Sequence, residues 1–313
     1  MKLPFDFSLK FIFRSVLPGF VLALALYPAV TKALSLTGKT LSTETVFIPL
    51  VLILGWLFVV MDMSIYMLYE GRRYWPDFLW RALHKHEQKR LARLQSESKG
   101  TSKKGKGARS IEALVELRDF PVNERFEYYV KYPTRLGNLL AAYEDYASRV
   151  YGMDSTFYWY RIWLKLDKDL REELDTQQAI ADSAIYVSLS LFLSAVLGLV
   201  YACTQAFGVH WTGGPGGGAM LGFSCGMVLA GYVLYRASLH IHAQFGELFK
   251  STFDVYSQSI NVDQVVCDIY EMGGDVLPTS DNRQKYREAW RYLRYFLIKK
   301  NGKIVRLSEM DNS

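Results

Sequence analysis

From Ser183 to Tyr235 the chain runs for 53 residues without an Asp, Glu, Lys or Arg. A helix rises about 1.5 Å per residue and the hydrocarbon layer of a bilayer is about 30 Å thick, so one crossing takes about 20 residues. The run is long enough to cross, turn and return. The turn falls at Gly213-Gly214-Pro215-Gly216-Gly217-Gly218, a cluster that no helix interior accommodates. Small side chains recur every four residues on both arms: Ser190, Ser194, Gly198 and Ala202 on the first, Gly218, Gly222, Gly226 and Ala230 on the second. Where no hydrophobic force drives helices together, such ridges permit close backbone approach. They pack one arm on the other, or one arm on a second subunit.

Two earlier stretches also qualify as spans, Ser15 to Thr31 and Val46 to Tyr69, the second uncharged except for Asp62. Four spans in 313 residues, half of them apolar, exclude a soluble single domain. The first span has some features of a signal peptide: Lys2, Lys10 and Arg14 precede it and Ala33-Leu34-Ser35 follows. Its long charged N-region, with Asp6, favours a retained helix. Of 37 basic residues only Lys32 and Lys39 fall in the loops of the two hairpins. The positive-inside rule then places both termini and the middle of the chain in the cytoplasm of a bacterial inner membrane. Cys203 and Cys225 fall within spans and read as small packing residues, while Cys267 lies on the reducing side.

The expected organisation is transmembrane helices 1 and 2 over 1–69, a cytoplasmic helical region over 70–181, a membrane hairpin over 182–235, and a cytoplasmic helical region over 236–313. Residues 77–94 have the pattern of an amphipathic helix and 95–109 that of a basic linker, part of a segment with 12 basic against four acidic residues between Glu70 and Arg109. Residues 110–181 read as mostly helical, with a break at Tyr132-Pro133, and Asp175 reads as the cap of the helix that becomes span three. A last helix is expected over about 281–300. It carries an apolar stripe, Tyr286, Trp290, Leu293 and Leu297, beside a basic one, Arg283, Arg287, Arg291 and Arg294, extended by Lys299 and Lys300.

Motifs of catalysis are weak. Gly100 and Gly105-Lys106 imitate a P-loop, but Gly107 stands where Ser or Thr is required. Gly222-Phe223-Ser224-Cys225-Gly226 spells G-x-S-x-G inside a span, where no strand-to-helix turn exists. His84 with His86, and His240 with His242, are two apart and diverge on a helix. The expectation is therefore a protein that is no enzyme, with no cofactor and no metal.

Binding is better supported. Guanidinium groups on one helix face engage phosphates bidentately, and neighbouring aromatic rings stack on bases. The same stripe would also suit anionic lipid or acidic residues such as Asp263, Asp268 and Glu271. Asp62, Ser190 and Ser194 are the candidate pore or gate residues, with Asp62 alternatively at the interface if span two finishes near Met61.

Thr134-Arg135-Leu136-Gly137-Asn138, Tyr143-Glu144-Asp145-Tyr146, Arg149, Tyr151-Gly152, Asp154 and Tyr160-Arg161 resemble a recurrent pattern of uncharacterised bacterial multi-pass membrane proteins. The layout, four spans with a basic helical cytoplasmic part, resembles membrane effectors of anti-phage defence, including the channel-forming effector of the Hailong system, which is controlled by a nucleic-acid oligomer made by a partner nucleotidyltransferase. The residues themselves lead to an all-α membrane protein that forms a homo-oligomer, and the small-residue ridges with the arginine stripe point to a channel gated through its cytoplasmic part by a phosphate-rich ligand. The resemblance in layout implies an anti-phage defence effector whose ligand is an oligonucleotide or nucleotide. The alternative is a non-conducting scaffold that recruits a cytoplasmic partner protein.

Overall fold

The computed structural model describes residues 9–36, 38, 42–99, 106–208, 217–273, 282–295, 297–300 and 303–306. Apart from one pair of short strands the protein is all-α, and among the described residues four helical stretches are long and apolar enough to cross a membrane: Ile12–Leu36, Thr43–Val60, Lys168–Ala206 and Gly217–Ser259. It is a multi-pass membrane protein. The helices are α1 (Leu9–Phe11), α2 (Leu17–Leu36), α3 (Thr43–Val60), α4 (Asp62–Glu70), α5 (Asp77–Ser98), α6 (Lys106–Leu117), α7 (Arg135–Tyr151), α8 (Ser155–Trp163), α9 (Lys168–Ala206), α10 (Gly217–Tyr256), α11 (Asp263–Gly273) and α12 (Asn282–Tyr295). Two compact units result, one from 1–69 and 175–245, the other from 70–174 and 246–313.

Several elements differ from the sequence reading. The last helix stops at Tyr295, and Leu297–Lys300 (β1) pairs antiparallel with Lys303–Arg306 (β2). Residues 95–98 finish α5 and 106–109 begin α6, so the expected linker is largely helical; 100–105 lie outside the described residues, as does most of the glycine-rich turn. Asp175 caps nothing, because α9 begins seven residues earlier at Lys168. Residues 118–134 form no helix: Val122 bridges Tyr128 across a tight hairpin. Met61 interrupts span two as a single non-helical residue. The ladder passes through it, since Met61 N donates to the Leu57 carbonyl and Ile65 N to the Met61 carbonyl.

In the membrane unit, α2 and α3 cross where both chains carry glycine. A methyl at Gly19 would collide with the Val51 carbonyl, and one at Gly55 with that of Ser15. A π-helical turn over Ile12–Val16 leads into Pro18, whose missing N–H already prevents regular α-helical pairing there. Polar side chains join the remaining helices. Ser190 donates to the Pro18 carbonyl at 2.9 Å, Tyr201 to the Ala25 carbonyl at 2.7 Å, and Ser188 to the Gly231 carbonyl at 2.9 Å. The first small-residue ridge is thus consumed inside the protomer, with Gly198 against Ser224. The second ridge faces outward: among the described residues a methyl at Gly218, Gly222 or Gly226 would meet nothing, and Ala230 is exposed. Cys203 and Cys225 are exposed rather than packed.

The second unit has a core in which Leu91 and Leu94 of α5 meet Ala113 and Leu117 of α6 and Phe120. Arg90 is buried beside it. Its guanidinium donates to Glu87 at 3.2 Å and to Glu116 at 2.7 Å and lies 5.1 Å from the Phe120 ring centre. Arg90→Leu strands the buried Glu87 carboxylate, and removing one partner of a buried pair costs about 3 kcal/mol. A fall of roughly 5–10 °C in the melting temperature of detergent-purified protein is expected; an unchanged value would remove Arg90 from the core.

Glu70, at the end of α4, is 5 % exposed and touches Arg72. Burial pushes its carboxyl up to about 7, against the pull of Arg72 and Lys131 and aided by repulsion from Glu144. Because the folded value exceeds the ordinary 4.5, the folded state holds the extra proton between about pH 4.5 and 7, and its contribution is lost as pH rises through that window. Stability should fall by up to about 3 kcal/mol from pH 4.5 to 8, and Glu70→Gln should flatten that slope in denaturation at stepped pH.

Candidate ligand cleft

The second unit contains a cleft of about 860 Å³, within the range that holds a small-molecule ligand. Three pieces of chain form it. The first is the 122–129 hairpin, the second α7, and the third α12, and each is placed by a recognisable local device.

The hairpin is tied by Asn123, whose Oδ1 accepts from the Arg125 and Glu127 backbone N–H groups at 2.9 and 3.0 Å. Phe126 N closes the turn on the Asn123 carbonyl at 3.0 Å. This geometry forces Phe126 to φ +62°, where a bulky side chain costs about 1–2 kcal/mol. Its ring lines the cleft yet is 73 % exposed.

Helix α7 is capped by Thr134, whose Oγ1 accepts from Gly137 N at 3.0 Å. Buried Asn138 uses its whole amide: Oδ1 accepts from the N–H groups of Lys131 and Tyr132, and Nδ2 donates to the carbonyls of Tyr132 and Thr134, all at 2.9–3.0 Å. Two turns on, Asp145 takes the Lys131 ammonium at 2.9 Å and the Tyr129 hydroxyl at 2.9 Å. Arg149 stands with its guanidinium 5.8 Å from the Phe126 ring centre and 5.7 Å from that of Tyr146. The helix stops at Gly152 in the left-handed conformation, φ +72°, where a side chain would strike the Arg283 carbonyl. That contact seats the first turn of α12.

Arg283, Arg287 and Arg291 of α12 line the cleft with Arg149. Among the described residues Arg287 pairs only with a distant carboxylate, Glu124 at 4.0 Å. Arg294 lies outside the cleft lining, 3.8 Å from Asp154. Lys299 and Lys300 belong to β1 instead of extending the helix, and their side chains lie outside the described residues. Among the acidic residues weighed against the stripe, Asp263 takes Lys285 at 2.9 Å and Asp268 takes Gln264 at 3.1 Å. Glu288 also lines the cleft. It is 7 % exposed, its Oε1 accepts from Gln284 at 2.9 Å, and its Oε2 has no hydrogen-bond partner among the described residues.

Asp62, Ser190 and Ser194 lie in the membrane unit. Asp62, half-buried at the start of α4, accepts from the Tyr186 hydroxyl at 2.5 Å. It belongs to a polar cluster in which Asp182 takes Arg14 at 2.8 Å and the Tyr66 hydroxyl at 2.6 Å, and Tyr66 meets His242 at 3.0 Å. Ser190 and Ser194 are buried, and their hydroxyls donate to the carbonyls of Pro18, Tyr186 and Ser190. Among the described residues no group of three His, Cys, Asp or Glu is placed to hold a metal.

Phe126, Arg149 and Glu288 were not singled out by sequence as ligand groups. Arg149 follows Asp145 by four residues and so shares its helix face, a signal that was present. Phe126 could not be found from pattern, because its exposure comes from a turn whose backbone is decided by Asn123. Comparison with known proteins gives nothing to set beside this site: no family model, curated protein or solved structure matches the chain. The residues from Thr134 to Arg161 are therefore interpreted through their own contacts.

Phe126→Gly should keep the turn and relieve the backbone, raising stability by about 1 kcal/mol in chemical denaturation. A loss of stability would show that the ring is a packing element.

Proposed function

We propose that the protein is an oligomeric membrane channel controlled by a phosphate-bearing ligand held in the cleft of its second, cytoplasmic unit. The observation that carries this is the convergence of Arg283, Arg287, Arg291 and Arg149 on one cleft of about 860 Å³. Four guanidinium groups converging on a concave surface suit an anion with several oxygens, since each can present a two-pronged donor. The cytoplasmic placement rests on the near absence of basic residues from the short hairpin loops. Oligomerisation is supported by the outward ridge Gly218, Gly222, Gly226 and Ala230, which offers another helix a close approach. Signal transfer has a covalent route, because the chain passes between the units at Tyr69–Glu70, Leu174–Asp175 and Phe245–Gly246.

A second reading, a membrane scaffold for a partner protein, is favoured by one observation. Ile111, Leu114 and Val115 form an exposed apolar stripe on α6, 65, 51 and 57 % accessible. Recording from purified protein in planar bilayers separates the two. For the channel, tripolyphosphate should change the conductance, and Arg287→Ala and Arg291→Ala should each raise the half-effective concentration about tenfold, corresponding to about 1.4 kcal/mol per contact. Absence of conductance with and without ligand, together with a monomer in detergent, would leave the scaffold.

A further inference from the structure

The cleft is not simply a basic patch. Three carboxylates, Glu124, Asp145 and Glu288, share it with the four arginines. Asp145 is already occupied by Lys131 and Tyr129, whereas the Oε2 of buried Glu288 has no donor among the described residues. A buried carboxylate oxygen left without a hydrogen bond is costly, and it becomes satisfied when a bound molecule supplies an N–H or O–H. A fully ionised phosphate chain has none to supply and would be repelled by Glu124 and Glu288. Phe126 supplies a third requirement. Its ring is held at the cleft by a turn that strains its backbone, and it is left 73 % exposed with the Arg149 guanidinium 5.8 Å from its centre. An aromatic face beside a guanidinium plane is a stacking site for a flat, electron-rich ring.

An anion site, an acceptor needing a donor and a stacking platform within about 860 Å³ together describe one small molecule. Resting on the phosphate-binding reading of this cleft, we infer that its ligand is a single nucleotide. Its phosphates lie against Arg283, Arg287 and Arg291, its base stacks against Phe126 and Arg149, and a sugar hydroxyl or base N–H donates to Glu288. The interspersed carboxylates disfavour a long strand, whose evenly spaced phosphates need an uninterrupted basic track. They likewise disfavour a lipid headgroup, which brings phosphate without a base to stack.

Calorimetry on the 313-residue chain in nanodiscs of zwitterionic lipid tests this with ATP, GTP, tripolyphosphate and a ten-residue oligothymidylate. At least one nucleoside triphosphate should bind ten times or more tightly than tripolyphosphate, and Phe126→Ala should abolish most of that ratio while leaving the tripolyphosphate constant within about twofold. Glu288→Gln should weaken the nucleotide and leave tripolyphosphate bound equally or more tightly. Repeating the titration in nanodiscs containing phosphatidylinositol phosphate should leave the nucleotide constant unchanged; a tenfold loss would assign the cleft to lipid. Equal binding of tripolyphosphate and both nucleotides, or tighter binding of the oligothymidylate, would overturn the single-nucleotide assignment while leaving the phosphate site standing. Failure of every probe to bind would remove the phosphate site itself.

Discussion

The second unit is organised around the carboxamide of Asn138, which holds the extended segment 131–134 against the first turn of α7 with four hydrogen bonds. The geometry suits Asn in particular, because an amide offers an acceptor and two donors on one short side chain and here uses them all. Buried at 1 % exposure, it could not lose any of these bonds to water. Fixing Lys131 in this way fixes its ammonium over Asp145, and Asp145 in turn holds Tyr129 on the return strand of the hairpin. The position of Phe126 follows from that chain of contacts. So does the charge of the cleft, since a pairing made outside its lining cancels one of its three carboxylates.

The other end of α7 does comparable work with backbone alone. Gly152 ends the helix in a conformation that a side chain would strain, and the space so left is filled by the Arg283 carbonyl. Tyr158, fully buried, adds a hydrogen bond to the Tyr286 carbonyl at 2.7 Å, one turn further along α12. Tyr286 itself donates to the carbonyls of Ser257 and Ile260. The arginine helix is therefore seated in part by its backbone and by tyrosines.

The membrane architecture was legible because it is compositional: lack of charge over 53 residues and one glycine-rich turn require little more than counting. The arginine stripe was legible for a similar reason, since Arg283, Arg287 and Arg291 are spaced by one helical turn and stay on one face wherever the helix goes. What could not be seen was its end. Asn301-Gly302 is a hairpin dipeptide, but Leu297–Lys300 and Lys303–Arg306 on either side of it show no strand alternation and are too short to outweigh the helix before them. The hairpin at 122–129 was hidden more deeply, because its exposed aromatic residue resembles one side of an amphipathic helix. Packing of the two glycine crossings, at Gly19 and Gly55, was missed because each glycine stands alone in its own span rather than in a repeat.

The two units solve opposite problems with the same groups. Inside the membrane unit every hydroxyl that matters is committed: Ser188, Ser190, Ser194 and Tyr201 donate to carbonyls, and Asp62 and Asp182 are held by tyrosine and arginine. Hydrocarbon offers no alternative partner, so a polar atom left over there would be expensive. In the cleft the reverse holds. Among the described residues one buried carboxylate oxygen lacks a donor, an aromatic ring lies exposed on a strained backbone, and Arg287 has only a distant counter-charge. Such features cost stability in an isolated fold, and here three of them lie on a single concave surface. That coincidence, more than the number of positive charges, distinguishes a site built to be completed by a ligand from a solvated basic face.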